Sequence, residues 1–420
     1  MATAALLASI GHPSEVYALL KYKFTTSDAV TKYTTRESVT AKKGTPEYTY
    51  QMCYYFLNKT SRSFARVIQE LHPELAHPRL GHNRRRYDLS NDRKLPLLRT
   101  FDTIMYKKGW TFNENGPNEK DRILMVEFDV VIDQFLRLKE SYQTVIADVT
   151  RRMVTVVTIA DYDLYTHYVA GLVGIGLTGL FSVSGLEDAS LTKDEYLQNR
   201  MGLFLQKVNI MKDYLEDLNE GRQFWPEEVW SKYVWENQGL DALAKPENLN
   251  DALACLNELC VNAMELAPDC LEYMSKLKEP SVIHFCAIPQ VMAIASIALF
   301  FNNSVVFTKG GLKIRRGLAV KLIYEGTTFE GVKNVFKRYA LEIAKQNSKR
   351  VGTNPKDESF MPMSIACSKV IRWINAHDKK MGIVPKSSGE QVFEYLIVAV
   401  NFVLLALIVQ HFYNAYNSLN

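Results

Sequence analysis

Cysteine is scarce in this sequence: there are six in 420 residues, and no two of them form a CxxC pair. A disulfide scaffold is therefore excluded, and a structural zinc site is not expected. Charge of one sign is not in excess either, because 50 basic residues stand against 46 acidic ones. The chain lacks the basic footprint of a nucleic-acid-binding protein, so we expect no nucleic-acid partner.

Strand-like alternation of polar and apolar residues is also scarce. Between about residues 48 and 346, apolar residues recur every three or four positions, as in ESYQTVIADVTRRM and DALACLNELCVNAMEL. That spacing is typical of amphipathic helices. The start of the chain lacks a charged region before its short apolar run, so no signal peptide is expected. We predict an all-α cytosolic domain over residues 1–346.

A long apolar run lies near the C-terminus, from Tyr395 to Tyr413. Since about 20 apolar residues span a bilayer, we predict a transmembrane anchor over this range; the alternative is a buried core helix. Lys379, Lys380 and Lys386 precede the run and no charge follows it, which places the N-terminal part in the cytosol by the positive-inside rule. Between the domain and the anchor, 347–394 is interpreted as a polar linker with room for a short helix.

The most informative stretch is MGLFLQKVNIMKDYLED, residues 201–217. At about 100° per residue, four polar side chains of this stretch fall within an arc of roughly 80° and form a stripe along the predicted helix. The remaining circumference is mostly apolar, which predicts that the polar stripe faces a wet cavity. The stripe consists of Gln206, Asn209, Asp213 and Asp217. Two carboxylates one turn apart, with amide oxygens beside them, suit Mg²⁺ bridged to phosphate oxygens. The alternative is a solvated helix face on which Lys207 and Lys212 are ordinary charges.

This stretch, followed by GRQFWPEEVWSKY, resembles the second aspartate-rich motif of the squalene synthases. Other segments resemble further motifs of that family in the same order: NKTSRSFARVIQELHPEL, HYVAGLVGIGL, HFCAIPQVMAIASIALFFNN and KIRRG. The resemblance extends from about residue 10 to 345. It implies the isoprenoid-synthase fold, a helical bundle around a central cavity. It also implies head-to-head condensation of two farnesyl diphosphates to presqualene diphosphate, which NADPH then reduces to squalene, with Mg²⁺ assisting ionisation of the diphosphates.

The resemblance also implies roles for individual residues. Asp213 and Asp217 would bind Mg²⁺. The substrate diphosphates would be bound by Ser61, Arg62, Gln206, Asn209, Lys212 and Arg222. Catalysis would involve Tyr168 as a base or proton carrier, with the rings of Phe64 and Phe285 against the carbocations. The phosphates of NADPH would meet Lys313, Arg315 and Arg316.

Several of these assignments have a structural alternative. The spacing of Phe64 and Phe285 fits core aromatics, Tyr168 fits a core tyrosine with a satisfied hydroxyl, and KIRRG fits a solvated patch. Glycine costs about 1 kcal/mol per helical position relative to alanine. A glycine-rich helix after Tyr168 therefore indicates a backbone that something approaches closely. Its glycines are Gly171, Gly174, Gly176 and Gly179.

The family's first aspartate-rich motif is expected soon after HPEL, where this chain reads AHPRLGHNRRRYDLSNDRKLPLL. The segment Arg79–Asp88 can be encoded by codons that specify the missing motif when they are read one base later. In that shifted frame they encode Gly-Leu-Asp-Thr-Ile-Glu-Asp-Asp-Met. A glycine-containing helix expected after Arg151–Met153 is missing too. Faulty splice assignment or a frameshift would explain both losses. We expect severely reduced turnover, because the first ionisation would lack its magnesium ligands.

Two other functions are compatible with these patterns. One is a catalytically impaired, membrane-anchored paralogue that acts as a binding partner in the sterol pathway. The other is a phytoene-type synthase without the reductive step. The intact second motif and Tyr168 argue against the first, and CAIPQ, KIRRG and the anchor argue against the second. We expect a monomeric squalene synthase in the endoplasmic reticulum membrane, with its catalytic domain facing the cytosol.

Overall fold

The computed structural model describes residues 8–9, 11–25, 36–42, 45, 47–48, 51–52, 55, 100–114, 122–137, 140, 143, 147, 157–219, 222–350 and 354–383. The regular elements in these ranges are all helical, and no strand occurs among them. The predicted all-α class is confirmed.

The α-helices of the described ranges are numbered in chain order. They are α1 (Pro13–Thr25), α2 (Phe101–Ile104), α3 (Arg122–Val126), α4 (Phe128–Phe135), α5 (Ile159–Thr166), α6 (Leu172–Val183), α7 (Glu195–Lys212), α8 (Tyr214–Asn219), α9 (Glu227–Trp230), α10 (Leu249–Met264), α11 (Ala267–Ser275), α12 (Pro280–Phe300), α13 (Val305–Thr308), α14 (Arg316–Glu325), α15 (Phe329–Ser348) and α16 (Phe360–Lys380). A π-helical turn, His167–Gly171, joins α5 to α6. Short 3₁₀ helices cover Arg36–Ser38, Ala189–Lys193, Ser231–Tyr233, Leu240–Ala244 and Pro246–Asn248.

Helix α7 forms the centre of the main core. It begins where the Asp194 side chain accepts a hydrogen bond from the Leu197 N–H at 3.2 Å, an N-cap that satisfies one of the first free backbone donors. Helices α6, α10, α11 and α12 all pack against it. This placement explains why α7 is apolar on most sides, since neighbours surround it rather than water.

Two helical stretches of the described part are long and apolar enough to cross a membrane, Ile159–Val183 and Pro280–Phe300. In α12 the apolar window is 67% buried, which is typical of the central helix of a globular domain. In Ile159–Val183 only 22% of the window is buried. Apolar side chains of α6 are correspondingly exposed, among them Val173 at 55%.

The interval interpreted as a polar linker contains α16, a helix of 21 residues rather than a short one. It packs against α10, α11 and α15, and its inward side chains are Met363, Ala366, Cys367, Val370 and Ile374. The polar residues before it bind each other inside the protein. Arg350 is ion-paired with Asp357, whose carboxylate also accepts a 2.8 Å hydrogen bond from Asn257. The polar residues of this segment therefore form a buried hydrogen-bond network, which Asn257, distant in sequence, completes.

The predicted anchor over 395–413 lies outside the described residues, as does the whole range 384–420.

Candidate functional site

The polar stripe runs along α7 and continues into α8. Helical hydrogen bonds cross the junction, from the Asp213 N–H to the Asn209 carbonyl (2.9 Å) and from the Asp217 N–H to the Asp213 carbonyl (2.8 Å). The stripe side chains therefore stay on one side, as the helical period predicts. Asn209 is exposed, Gln206 and Asp213 are half-buried, and Asp217 is buried.

Asp217 is held by Arg222. Both Nε (3.0 Å) and Nη2 (2.6 Å) of Arg222 donate to Oδ1 of Asp217. The backbone strengthens this turn, because the Arg222 N–H donates to the Asp217 carbonyl at 2.8 Å. A predicted magnesium ligand and a predicted diphosphate ligand are thus in direct contact with each other.

Asp213 lies in a more mixed electrostatic environment. The Lys212 amine donates to Oδ1 of Asn209 at 3.0 Å and lies 3.4 Å from Oδ1 of Asp213. Burial raises the pKa of Asp213; the Lys212 charge opposes this, the Glu216 charge adds to it, and Lys313 opposes it. A carboxylate whose charged form is disfavoured by burial gains from a bound cation.

The segment that contains KIRRG lies next to these carboxylates. Gly310 and Gly311 have φ angles of 60° and 59°, in the left-handed region that favours glycine. A Cβ on Gly310 would lie 3.5 Å from the Leu215 side chain, and one on Gly311 would lie 3.6 Å from Glu216 Oε1. The double-glycine turn thus packs against α8 and brings Lys313 close enough for its charge to act on Asp213.

Arg315, a predicted cofactor contact, is engaged by the N-terminal helix. Its Nη2 and Nε donate to the two carboxylate oxygens of Glu15, at 2.7 and 3.3 Å. Glu15 is only 3% exposed, and a Cβ on Gly317 would lie 2.8 Å from its Cβ. Lys313, Arg315 and Arg316 are all exposed, and Arg315 is the one of them whose pair with Glu15 is seen here. The sequence alone did not predict the role of Glu15, because no local signal points to a partner 300 positions away.

Tyr168 lies in the π-helical turn between α5 and α6, where its side chain is half-buried. Single π-helical turns are frequent at functional sites. The turn is fixed against α7 by a 2.8 Å contact between Nδ1 of His167 and Oδ1 of Asn199. Sequence periodicity predicts one continuous helix here, so it could not reveal the π turn.

The close approach predicted for the glycine-rich helix is a helix crossing. A Cβ on Gly174 would lie 2.4 Å from the Gln198 carbonyl oxygen, and one on Gly202 would lie 2.2 Å from the Ala170 carbonyl oxygen. Helix α7 is thus the group that approaches the backbone at Gly174. At Gly176 a Cβ would meet nothing within 4 Å.

Phe285 lies on α12 in the main core, 8% exposed, and packs edge-to-face on Phe181 with ring centroids 6.1 Å apart. Its position agrees with the core-aromatic alternative. Lys207 is not an ordinary solvated charge, because it is only 1% exposed. Its amine lies 2.5 Å from oxygens of both Asn262 and Asp163. Burial lowers the pKa of Lys207, and the charge of Asp163 opposes that shift.

The remaining predicted site residues, Ser61, Arg62 and Phe64, lie outside the described residues, as does the arginine run at 84–86. Within the described part, no three His, Cys, Asp or Glu side chains form a metal-binding group. Asp213 and Asp217 supply two carboxylates beside amide oxygens. Such oxygen donors fit Mg²⁺, which keeps several waters and takes its other ligands from substrate phosphates.

Residues 98–306 match the family model described as Squalene/phytoene synthase. The squalene synthase of Candida albicans is 41% identical over 375 residues, which are 83% of this chain and 82% of that protein. The human squalene synthase is 43% identical over 352 residues, 80% of this chain and 81% of the relative. For Schizosaccharomyces pombe the identity is 44% over 343 residues, 76% of this chain and 72% of the relative.

A solved complex of TcSQS with a ligand superposes with a TM-score of 0.65 at 34% identity. The match covers 78% of this chain and 99% of that one. The helices, the order of the motifs and these identities agree, and the chain belongs to the squalene synthase family.

Proposed function

We propose that this protein is a squalene synthase, which joins two farnesyl diphosphates head to head and reduces presqualene diphosphate to squalene with NADPH. The observation that carries the proposal is the stripe on α7 and α8, which contains Asp213 and Asp217. Arg222 binds Asp217, and the charge of Lys313 acts on Asp213. Carboxylates for a divalent cation and cationic side chains for phosphates therefore occupy one site.

Asp213 and Asp217 would hold Mg²⁺, which when bound neutralises charge on a leaving diphosphate. Arg222 orients Asp217, and its guanidinium has five donors, so it can hold this carboxylate and a phosphate oxygen together. Lys212, with Gln206 and Asn209 on the same side of α7, would bind the diphosphate as well.

Tyr168 would move a proton near the first carbocation, from a π-helical turn that packing against α7 holds in place. The exposed apolar side of α6, which includes Val173, offers surface for a farnesyl chain. Lys313 and Arg316 would contact the NADPH phosphates. Arg315 would instead position this segment through Glu15.

Turnover by this chain would be severely reduced. The match to the family model begins at residue 98, after the stretch in which the first aspartate-rich motif is expected. The chain then carries one magnesium clamp of two. Sequencing the transcript across the codons for Glu74–Asp163 tests this: an in-frame aspartate-rich motif would identify a splicing or frame error, and Arg84–Arg86 in frame would favour the impaired paralogue.

The protein would act as a monomer, anchored in the endoplasmic reticulum membrane by residues 395–413 with its catalytic part in the cytosol. The apolar run and the lysines before it support this topology.

The activity test uses the full chain in lipid discs with labelled farnesyl diphosphate and Mg²⁺, with and without NADPH. We expect presqualene diphosphate without NADPH and squalene with it, at a low rate. Asp213→Asn and Asp217→Asn should each abolish both products, whereas Asp241→Asn, the same change at an exposed position, should not. A product profile unaffected by NADPH would indicate a phytoene-type synthase. Binding without either product would indicate the impaired paralogue.

A further inference from the structure

The end of α16 presents basic and apolar side chains together. Arg372, Lys379 and Lys380 are exposed, and in the described part of the chain no carboxylate lies within ion-pairing distance of either lysine amine. Met381 and Ile383 follow directly and are 62% and 41% exposed. The side chains that α16 itself presents at this end are therefore cationic with an apolar edge. The exposed Glu330 of α15 lies at the same end, where it pairs with Lys333.

Backbone geometry holds this surface in shape. Gly382 ends the helix with φ of 67°, and the Ile383 N–H donates back to the Asp378 carbonyl at 2.9 Å. This is the pattern of a glycine-terminated helix, and it folds the chain back beside the last turn. The Asp378 carboxylate points inward to an ion pair with the buried Lys333. It is the only acidic residue of α16, so the outward charge of the helix is entirely positive.

Lysines at a helix C-terminus also stabilise the helix dipole. That role explains Lys379 and Lys380 but not two large exposed apolar side chains next to them. The position in the chain adds a further constraint. Eleven residues lie between Ile383 and Tyr395, where the apolar run begins. Even fully extended, they span about 40 Å, so this end of α16 stays close to any membrane the run enters.

We propose that the end of α16, comprising Arg372 and residues 379–383, docks on the surface of a membrane that contains anionic lipids. The inference rests on the proposed membrane anchor. The basic side chains bind the anionic headgroups while Met381 and Ile383 enter the boundary between headgroups and acyl chains. Docking fixes the orientation of the helical domain relative to the bilayer, which an anchor on a linker alone would not do.

The test places an environment-sensitive fluorophore on the full chain carrying Met381→Cys, reconstituted in discs. The control for labelling at other positions is the chain without this substitution. Every cysteine of that chain that the structure describes is buried. Discs contain phosphatidylcholine alone or phosphatidylcholine with phosphatidylserine. We expect a blue shift and protection from an aqueous quencher only with the anionic lipid, both lost at high salt.

Lys379→Glu with Lys380→Glu should weaken docking by about twenty-five-fold or more, since each basic residue near an anionic surface contributes about fivefold and two contributions multiply. Lys193→Glu with Lys245→Glu makes the same charge change at exposed positions elsewhere and should leave the signal unchanged. Equal quenching in both kinds of disc, or a signal that survives the Lys379 and Lys380 reversal, overturns the proposal. If the chain does not incorporate into discs at all, the anchor has failed, which is a distinguishable result.

Discussion

At the scale of single residues, ion pairs decide which predicted ligands are accessible. Arg222 is bound to Asp217 and Arg315 to Glu15. Both arginines were assigned to phosphates by resemblance, and both hold a carboxylate in this structure. Arg222 makes its pair inside the candidate site, where a cation could take over its role at Asp217.

We predict that Arg222→Met lowers the free energy of unfolding by about 1–3 kcal/mol, because the carboxylate of the buried Asp217 loses the guanidinium that binds its Oδ1. Added Mg²⁺ should restore more stability in this variant than it adds to the unmodified protein, because the cation then compensates the carboxylate. Urea denaturation with and without Mg²⁺ measures both effects.

Arg316→Met is the matched control, since Arg316 is exposed and lies outside the Asp217 pair. It should change stability little. Equal responses of the two variants to Mg²⁺ would contradict a cation site at Asp217.

At the scale of secondary-structure elements, the crossing of α7 with the π turn and α6 positions the candidate site. Gly202 and Gly174 let the two backbones touch, which brings Tyr168 and the stripe of α7 onto neighbouring elements. The glycines that follow Tyr168 are not equivalent. Gly174 is required by the crossing, whereas Gly176 and Gly179 have open space where a Cβ would lie.

We predict that Gly202→Ala destabilises the protein by about 1–3 kcal/mol, because its Cβ would overlap the Ala170 carbonyl oxygen and force the helices apart. Gly176→Ala should instead stabilise it by about 0.5–1 kcal/mol through helix propensity. Denaturation midpoints of the two variants at unchanged m-values provide the comparison. Destabilisation of similar size in both would show that the crossing is not the cause.

At the scale of the whole molecule, the helical domain does not end at residue 346. Helix α16 covers α10, α11 and α15 with an apolar side, and the buried Arg350–Asp357 pair ties the preceding segment to the same core. The last helix of the described chain is therefore part of the helical domain.

We predict that a chain ending after residue 346 aggregates or unfolds, whereas one ending after residue 383 stays folded. Removing α16 exposes its partners in the core, at about 1.5–3 kcal/mol for each fully buried Val, Ile or Met side chain it contributes. Size-exclusion chromatography and thermal unfolding of both chains test this. Equal stability of the two chains would instead support the domain boundary at residue 346 that was predicted from the sequence.

Local patterns were sufficient for much of this protein. Helical periodicity determined the all-α class and the shared side of Asp213 and Asp217, because that signal lies within one or two helical turns. Long motifs in a fixed order determined the family, because each motif is a continuous stretch of sequence. Tertiary structure alone decided that Lys207 is buried, that Glu15 holds Arg315 and that α16 joins the domain. Each of these depends on a partner far away in the chain, and a polar residue has the same letter whether water or a buried partner satisfies it.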